Sequence, residues 1–167
     1  MDFRGIVRSL SISQLIKLFG IAITKFTFFF CFMKATKDCI RITTEHFGND
    51  HHKNNVGNAF RHALWNMLIT LYSIEAGKSI ERSIDWAKYI TDWHEDAFKN
   101  SPLERAMDLH NNQVGRNWFI YLHEEGKPLK SRDTIVSYLL NNVDKAIHIT
   151  SLEEIKSMPN RLVFIDK

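Results

Sequence analysis

Cysteine is scarce in the 167 residues, with only Cys31 and Cys39 present. Eight apart on segments of helical pattern, they make no disulfide framework, and free thiols in a reducing compartment are the expectation. Excess charge of one sign is also lacking. A net charge of +3, from 22 basic and 19 acidic residues, is too weak and scattered to predict a specific nucleic-acid partner. The chain has no internal repeat, low-complexity tract or linker long enough to divide it. An unbroken apolar run is missing as well. Residues 15–33, LIKLFGIAITKFTFFFCFM, have membrane character, but Lys17 and Lys25 interrupt them. Lys25 would lie near the middle of a bilayer span, where a charge is expensive, so a single full span is disfavoured. The following CFMKATKDC supplies no clear small-residue cleavage site, which argues against a secretory signal.

What is present suits a folded protein. Hydrophobic residues make up 44% and charged residues 25%, which excludes a disordered chain, and the length fits one domain with a real core. Two readings fit residues 15–33. One is a core helix with lysines at its rim. The other is an interfacial helix, with Phe26, Phe28, Phe29, Phe30 and Phe32 dipping into a phospholipid surface and lysines near the head groups. The expected organisation is an N-terminal apolar or amphipathic helix over residues 1–34 and a helical domain over residues 35–167, together one globular unit. Cytoplasm, membrane periphery and secretion as an effector all stay open as locations.

The rest of the chain reads as all-α, an antiparallel bundle of five to six helices with a short extended C-terminal tail. ATKDCIRITTEHF, residues 35–47, predicts a short helix stopped by Gly48. A loop over 48–58 carries His51 and His52, adjacent histidines that are usually solvated and could cap a site. GNAFRHALWNMLITLYSIEAG, residues 57–77, predicts a central helix apolar on two sides and therefore buried, with Gly77 as its C-cap. Ser79 caps the next helix, whose inward stripe is Ile80, Ile84, Ala87, Thr91, His94 and Phe98, with Glu95 at its edge. Ser101, Pro102 and Glu104 form a capping box with proline at the first helical position. That helix shows an inward stripe at Leu103, Met107, His110, Val114, Trp118 and Tyr121, and a neighbouring strip at Asp108, Asn111 and Gly115 that turns apolar at Phe119 and Leu122. Gly126 and Pro128 end it. A last helix starts at Ser131 with Ile135, Leu139 and Val143 inward, and RLVFI, residues 161–165, reads as extended.

Short connections predict that the three central helices run up, down and up. The start of the first, the end of the second and the start of the third then share one end. Three polar clusters converge there: Asn58, Arg61, His62 and Asn66; His94 and Glu95; and Asp108, Asn111 and Asn112. Gly115, beyond Asp108 on the same strip, has no side chain and lets a neighbouring helix or a ligand approach closely.

NAFRHALW (58–65), HE (94–95) and MDLHNNQVGR (107–116) resemble the signature N-x-x-[RK]-H-x-x-W, H-E, D-x-x-N-N-x-x-G of an uncharacterised bacterial helical domain family. Related domains occur in small stand-alone proteins and at the C-terminal ends of polymorphic toxins. The resemblance covers about the middle third of the chain. It implies an all-helical domain with a shared site at Asn58, His62, His94, Glu95, Asp108, Asn111, Asn112 and Gly115, and it supplies no reaction.

Three readings of the site follow. In the first the protein is a hydrolase, with His62, His94 and Asp108 holding a divalent ion such as zinc, iron or manganese, which would acidify a water. Glu95 would accept the proton, while Arg61 and the asparagines, with Asn58, Asn66, Asn111, Asn112 and Gly115 as the substrate-binding set, would hold a phosphate or carbonyl oxygen. The order of residues is similar to that of the histidine-aspartate phosphohydrolases, although His94 is followed by Glu95 where that family has His-Asp. A metal-free version makes His94 the general base. RHALWN also resembles bacterial secreted phospholipases A2, although the His-Asp dyad of that catalytic helix is replaced here by His62 and Ala63. A phospholipid or another ester is the leading substrate. In the second reading the cluster is structural, its groups satisfying one another. In the third the protein is a binding or membrane-interaction module, with the N-terminal helix as its active part.

Overall fold

A computed structural model describes residues 10–49, 53–98, 100–125 and 131–166. Its elements are α1 (Ile12–Thr24), α2 (Phe26–Phe47), α3 (Val56–Glu75), α4 (Ile80–Ala97), α5 (Pro102–Glu124), α6 (Arg132–Val143), β1 (Ile147–His148), α7 (Leu152–Lys156) and β2 (Val163–Phe164). The all-α class holds, with six longer helices and the five-residue α7 among the described residues. The tail is extended where RLVFI predicts it, and there it pairs: Val163 and Phe164 lie parallel to Ile147 and His148 in a two-strand ladder.

α3 is the axis of the domain. Every residue from Gly57 to Ser73 is buried except Arg61, which is half-buried, and α2, α4, α5 and α6 all pack against it. Such all-round burial requires apolar groups on every side, and Phe60, Leu64, Met67, Leu68, Ile69 and Leu71 supply them. Gly77, at φ +79°, ends the helix in a left-handed cap. Its N–H donates to Ile74 and that of Lys78 to Ser73, which satisfies the last carbonyls.

Local signals set the other helix starts. Ser79 accepts from the Arg82 N–H and Ser131 from that of Thr134. At Ser101 the capping box is reciprocal, and Glu104 also takes a hydrogen bond from Asn54 at 2.7 Å, fastening the loop before α3 to the start of α5. α6 buries Ile135, Leu139 and Val143 as its spacing predicts. His51 and His52, Gly126 and Pro128 lie outside the described residues.

The N-terminal part departs from expectation. α2 runs unbroken through the 34/35 boundary, so residues 35–47 are the second half of a 22-residue helix that stops at Gly48, φ +65°. The chain turns at Lys25 instead, and α1 and α2 meet at a 115° bend. The bend lets both Ile21 and Phe28 reach the core and leaves the Lys25 ammonium over the rings of Trp86 and Tyr89, 5.9 Å from each centroid. No single described helix is long and apolar enough to cross a membrane, although α1 and α2 together pass that test by length and composition.

The inward face of α4 is rotated from the predicted apolar stripe, and that of α5 is shifted toward the neighbouring polar strip. On α4 the buried residues are Ser83, Trp86, Ala87, Ile90, Thr91, Trp93 and Glu95, while Ile84, His94 and Phe98 are half-buried. On α5 Met107 and Val114 of the predicted stripe are buried together with the strip through Asp108, Asn111, Asn112, Gly115, Phe119 and Leu122, while Leu103, His110 and Trp118 are half-buried and Tyr121 is exposed. Thr91, Glu95, Asn111 and Asn112 face inward here because each finds a partner on another element.

Candidate functional site

The up, down and up arrangement places the first turns of α3, the last turn of α4 and the first turns of α5 side by side. His62, Glu95 and Asp108 meet there, 3%, 2% and 4% exposed. One ligand atom from each lies within 4.8 Å of the other two, so this buried trio could hold a metal ion. Glu95 takes the place expected for His94. The His94 ring turns out of the trio into an aromatic stack, 5.0 Å from Trp65 and 4.5 Å from Phe98 between centroids. Adjacent positions on a helix point about 100° apart, and α4 spends its inward direction on Thr91 and Glu95.

His62 sits between two carboxyl groups. Its Nδ1 is 3.1 Å from Asn112 Oδ1 and 3.6 Å from Glu95 Oε1, and its Nε2 is 3.2 Å from Asp108 Oδ1. The tautomer follows from Asn112. That carboxamide oxygen already accepts from Asn66 Nδ2 at 2.7 Å and can only accept, so His62 Nδ1 carries the hydrogen and donates to it. Nε2 is left with a lone pair, toward which Arg61 Nη2 donates at 3.2 Å. Asp108 Oδ1 is buried and takes no hydrogen bond from an N–H or hydroxyl group among the described residues, while its carboxyl group pairs with that of Glu95. With Asp108 ionised two acceptor atoms face each other across 3.2 Å, whereas a proton on Oδ1 turns the contact into a hydrogen bond to Nε2.

The surroundings hold this geometry. Asn112 Nδ2 donates to Glu95 Oε1 at 3.3 Å, so one carboxamide orients both His62 and Glu95. Asn100, exposed on the α4 to α5 turn, donates to Asp108 Oδ2 at 3.2 Å. Behind them Asn66 Oδ1 accepts from Arg116 at 2.6 Å and Thr91 at 3.3 Å. At the rim, Arg61 also donates to Asn58 Oδ1 at 3.2 Å.

Burial dominates the electrostatics. It holds His62 well below the usual histidine range, and the Arg61 charge adds to the effect. Glu95 is raised by burial and then by the negative charge of Asp108, and burial raises Asp108 while Arg61 pulls it back. His94 falls to about 4, chiefly through burial, and is neutral at pH 7. The cluster therefore holds neutral imidazoles and carboxyl groups that resist becoming two bare charges.

Of the predicted residues, Asn58, Arg61, His62, Asn66, Glu95, Asp108 and Asn112 are brought together. Asn111 is not. Its carboxamide brackets the backbone of Val163, donating to the carbonyl and accepting from the N–H at 2.9 Å each, and so anchors β2. Gly115 admits a helix and leaves no space for a ligand, since a Cβ there would meet the Ala63 carbonyl oxygen at 2.5 Å. Arg116 and Thr91 were missed. Arg116 lies within the quoted MDLHNNQVGR, but nothing local marks an arginine for burial, and Thr91 reads as part of an apolar stripe. Burial lowers Arg116 to about 10, which leaves it charged at neutral pH.

No curated protein and no solved structure matches this chain. A family model described as a domain of unknown function (DUF6973) matches residues 19–147, which include all three motif stretches. That match spans well over half of the sequence, and the chain belongs to this family.

Proposed function

We propose that the protein is a hydrolase of phosphate or carboxylic esters, with phospholipid as the leading substrate class, and that His62, Glu95 and Asp108 hold a divalent metal. One observation carries this reading: buried His62, Glu95 and Asp108 each bring a ligand atom within 4.8 Å of the other two. Ligands around a zinc-sized ion stand about 3 to 4 Å apart, given bonds of about 2.0 to 2.2 Å. A neutral imidazole and two carboxylates carry a charge of −2, which suits zinc, iron or manganese. The hydrogen bond on the far ring nitrogen of His62 is the kind of support that metal-bound histidines have.

When bound, such an ion supplies Lewis acidity and brings the pKa of water toward neutral. The chain's own groups supply the rest. The half-buried Arg61 offers a positive charge to an anionic oxygen at the rim, and Asn58 steadies it. Burial raises the proton affinity of Glu95 and Asp108 in the metal-free chain, so binding the ion would displace protons from them. The link to polymorphic toxins implied by the resemblance sets a cellular expectation, that expression slows growth and His62→Ala relieves it.

The test is hydrolysis of a phosphodiester, a carboxylic ester and a mixed phospholipid by protein loaded with each ion in turn. Turnover that His62→Ala and Asp108→Asn abolish, with both variants folded, supports the proposal. Folded, metal-loaded protein that leaves all three substrates intact overturns it.

A second reading has its own observation. A side-chain hydrogen bond joins the Glu95 and Asp108 carboxyl groups, and with Arg61 nearby the cluster balances its charge without a metal. In that case the network specifies helix register, and replacing the trio with well-packed apolar residues leaves stability unchanged or higher.

A further inference from the structure

We propose that α1 and the first turns of α2 dock on an anionic phospholipid surface. This is independent of the reaction proposed above. Ile12, Ile16, Phe19 and Ile23 recur at helical spacing along one stripe of α1, and Phe26 and Phe30 continue the apolar surface beyond the bend. All six are between 63% and 79% exposed. The other side of α1 is occupied: Ile21 is buried in the core, and Leu15 and Leu18 pack against it. The outer stripe thus belongs to a helix already seated on the domain, and core packing does not account for it.

Shape favours lying on a membrane over crossing one. α1 is 13 residues long, about 20 Å at 1.5 Å per residue, well short of a bilayer core. The 115° bend sends α2 in another direction. A capping box at Ser11 fixes the start of α1, and Gln14 Nε2 donates to Ala97 O at 3.0 Å, tying the helix to the end of α4.

Charge selects the occupant. Between Asp2 and Asp38 the sequence holds six basic residues, Arg4, Arg8, Lys17, Lys25, Lys34 and Lys37, and no acidic one. Two of the lysines face acids of the domain: Lys17 lines a cleft with Asp85, Asp92 and Asp96, and Lys34 pairs with Glu75. The Lys25 ammonium lies over the Trp86 and Tyr89 rings, and exposed Lys37, seven residues beyond Phe30, falls on the same face of α2 as the apolar surface. A second copy seated here across a two-fold axis would set this basic segment against itself. Anionic head groups complement it, and the isoleucines and phenylalanines enter the layer beneath.

Co-sedimentation of the full chain with vesicles tests the proposal, comparing phosphatidylcholine alone with a mixture containing about one-third phosphatidylserine. The expected result is binding to the anionic vesicles that falls at least about tenfold in the double variant Ile16→Glu, Phe19→Glu and weakens with salt. Both side chains are exposed, so the variant's melting temperature should match the wild type's. Wild-type protein that leaves anionic vesicles unbound overturns the proposal, as does binding that the double variant retains. Sedimentation velocity adds a further outcome: a wild-type dimer that the same substitutions dissociate, without vesicle binding, assigns the stripe to a second copy and also overturns it.

Discussion

Ala63 and Gly115 touch backbone to backbone: a Cβ added at position 115 would lie 2.5 Å from the Ala63 carbonyl oxygen and 2.7 Å from its Cα. α3 and α5 cross at this point. His62 precedes Ala63, and Asn112 and Asp108 lie one and two turns before Gly115, so the closeness of the crossing sets how near His62 comes to both. Gly115→Ala must push the helices apart. It should cost about 3 kcal/mol, at the upper end for overpacking, because the obstacle is backbone. Denaturant midpoints check the cost. If the variant still folds, the loss of metal affinity should exceed the loss of stability.

Asn111 and Asn112 are neighbours with separate duties. Asn112→Ala removes the common partner of Asn66, His62 and Glu95 and should cost about 3 kcal/mol, leaving buried polar groups unmatched. Asn111→Ala should cost about 2 kcal/mol by freeing the Val163 backbone groups. Only the Asn112 change should alter metal affinity. Equal effects of the two on metal binding would contradict the assignment of Asn111 to the tail.

The carboxyl groups make stability depend on pH in a defined direction. Glu95 has a folded pKa above its unfolded one, so over that interval the folded chain holds a proton that the unfolded chain has released. Stability from this group is present at acid pH and lost as pH rises through the folded value. His62, lowered in the folded state, acts oppositely and loses stability as pH falls below the unfolded histidine value. Glu95→Gln should therefore be more stable than metal-free wild type on the alkaline side of neutrality and close to it near pH 5. Chemical denaturation at three pH values reads the sign, and a variant weaker than wild type at alkaline pH would contradict it.

Cys39 is a buried thiol whose Sγ donates to the Arg61 carbonyl at 3.3 Å, and burial pushes its pKa up to about 12. Native protein should leave Cys39 unmodified by iodoacetamide at pH 8, and unfolded protein should expose it fully. Mass spectrometry after timed alkylation gives the answer.

Much of this arrangement was legible before any coordinates. Ser79, Ser101 with Glu104, Ser131 and Gly77 act within a few residues of themselves, and their helix ends fall where those residues predict. The meeting of His62 with the Glu95 and Asp108 segments needed only short loops and alternating directions. Other features depend on partners distant in sequence. Whether His94 or Glu95 turns inward depends on Trp65 and Phe98 offering one of them an aromatic slot, and Asn111 is claimed by Val163, 52 positions later. The bend at Lys25 is a tertiary outcome too, since composition alone allows one long helix. Arg116 is buried because Asn66 Oδ1 accepts its hydrogen bond across the bundle.

Metal content tests the central claim most directly. Protein purified without chelator and measured by elemental analysis, then again after dialysis against zinc, iron(II) and manganese, should carry one equivalent of one of these ions. Folded His62→Ala and Asp108→Asn should lose it, while Asn111→Ala should keep it. Folded wild-type protein that takes up none of the three, or a metal that survives His62→Ala, would contradict the account.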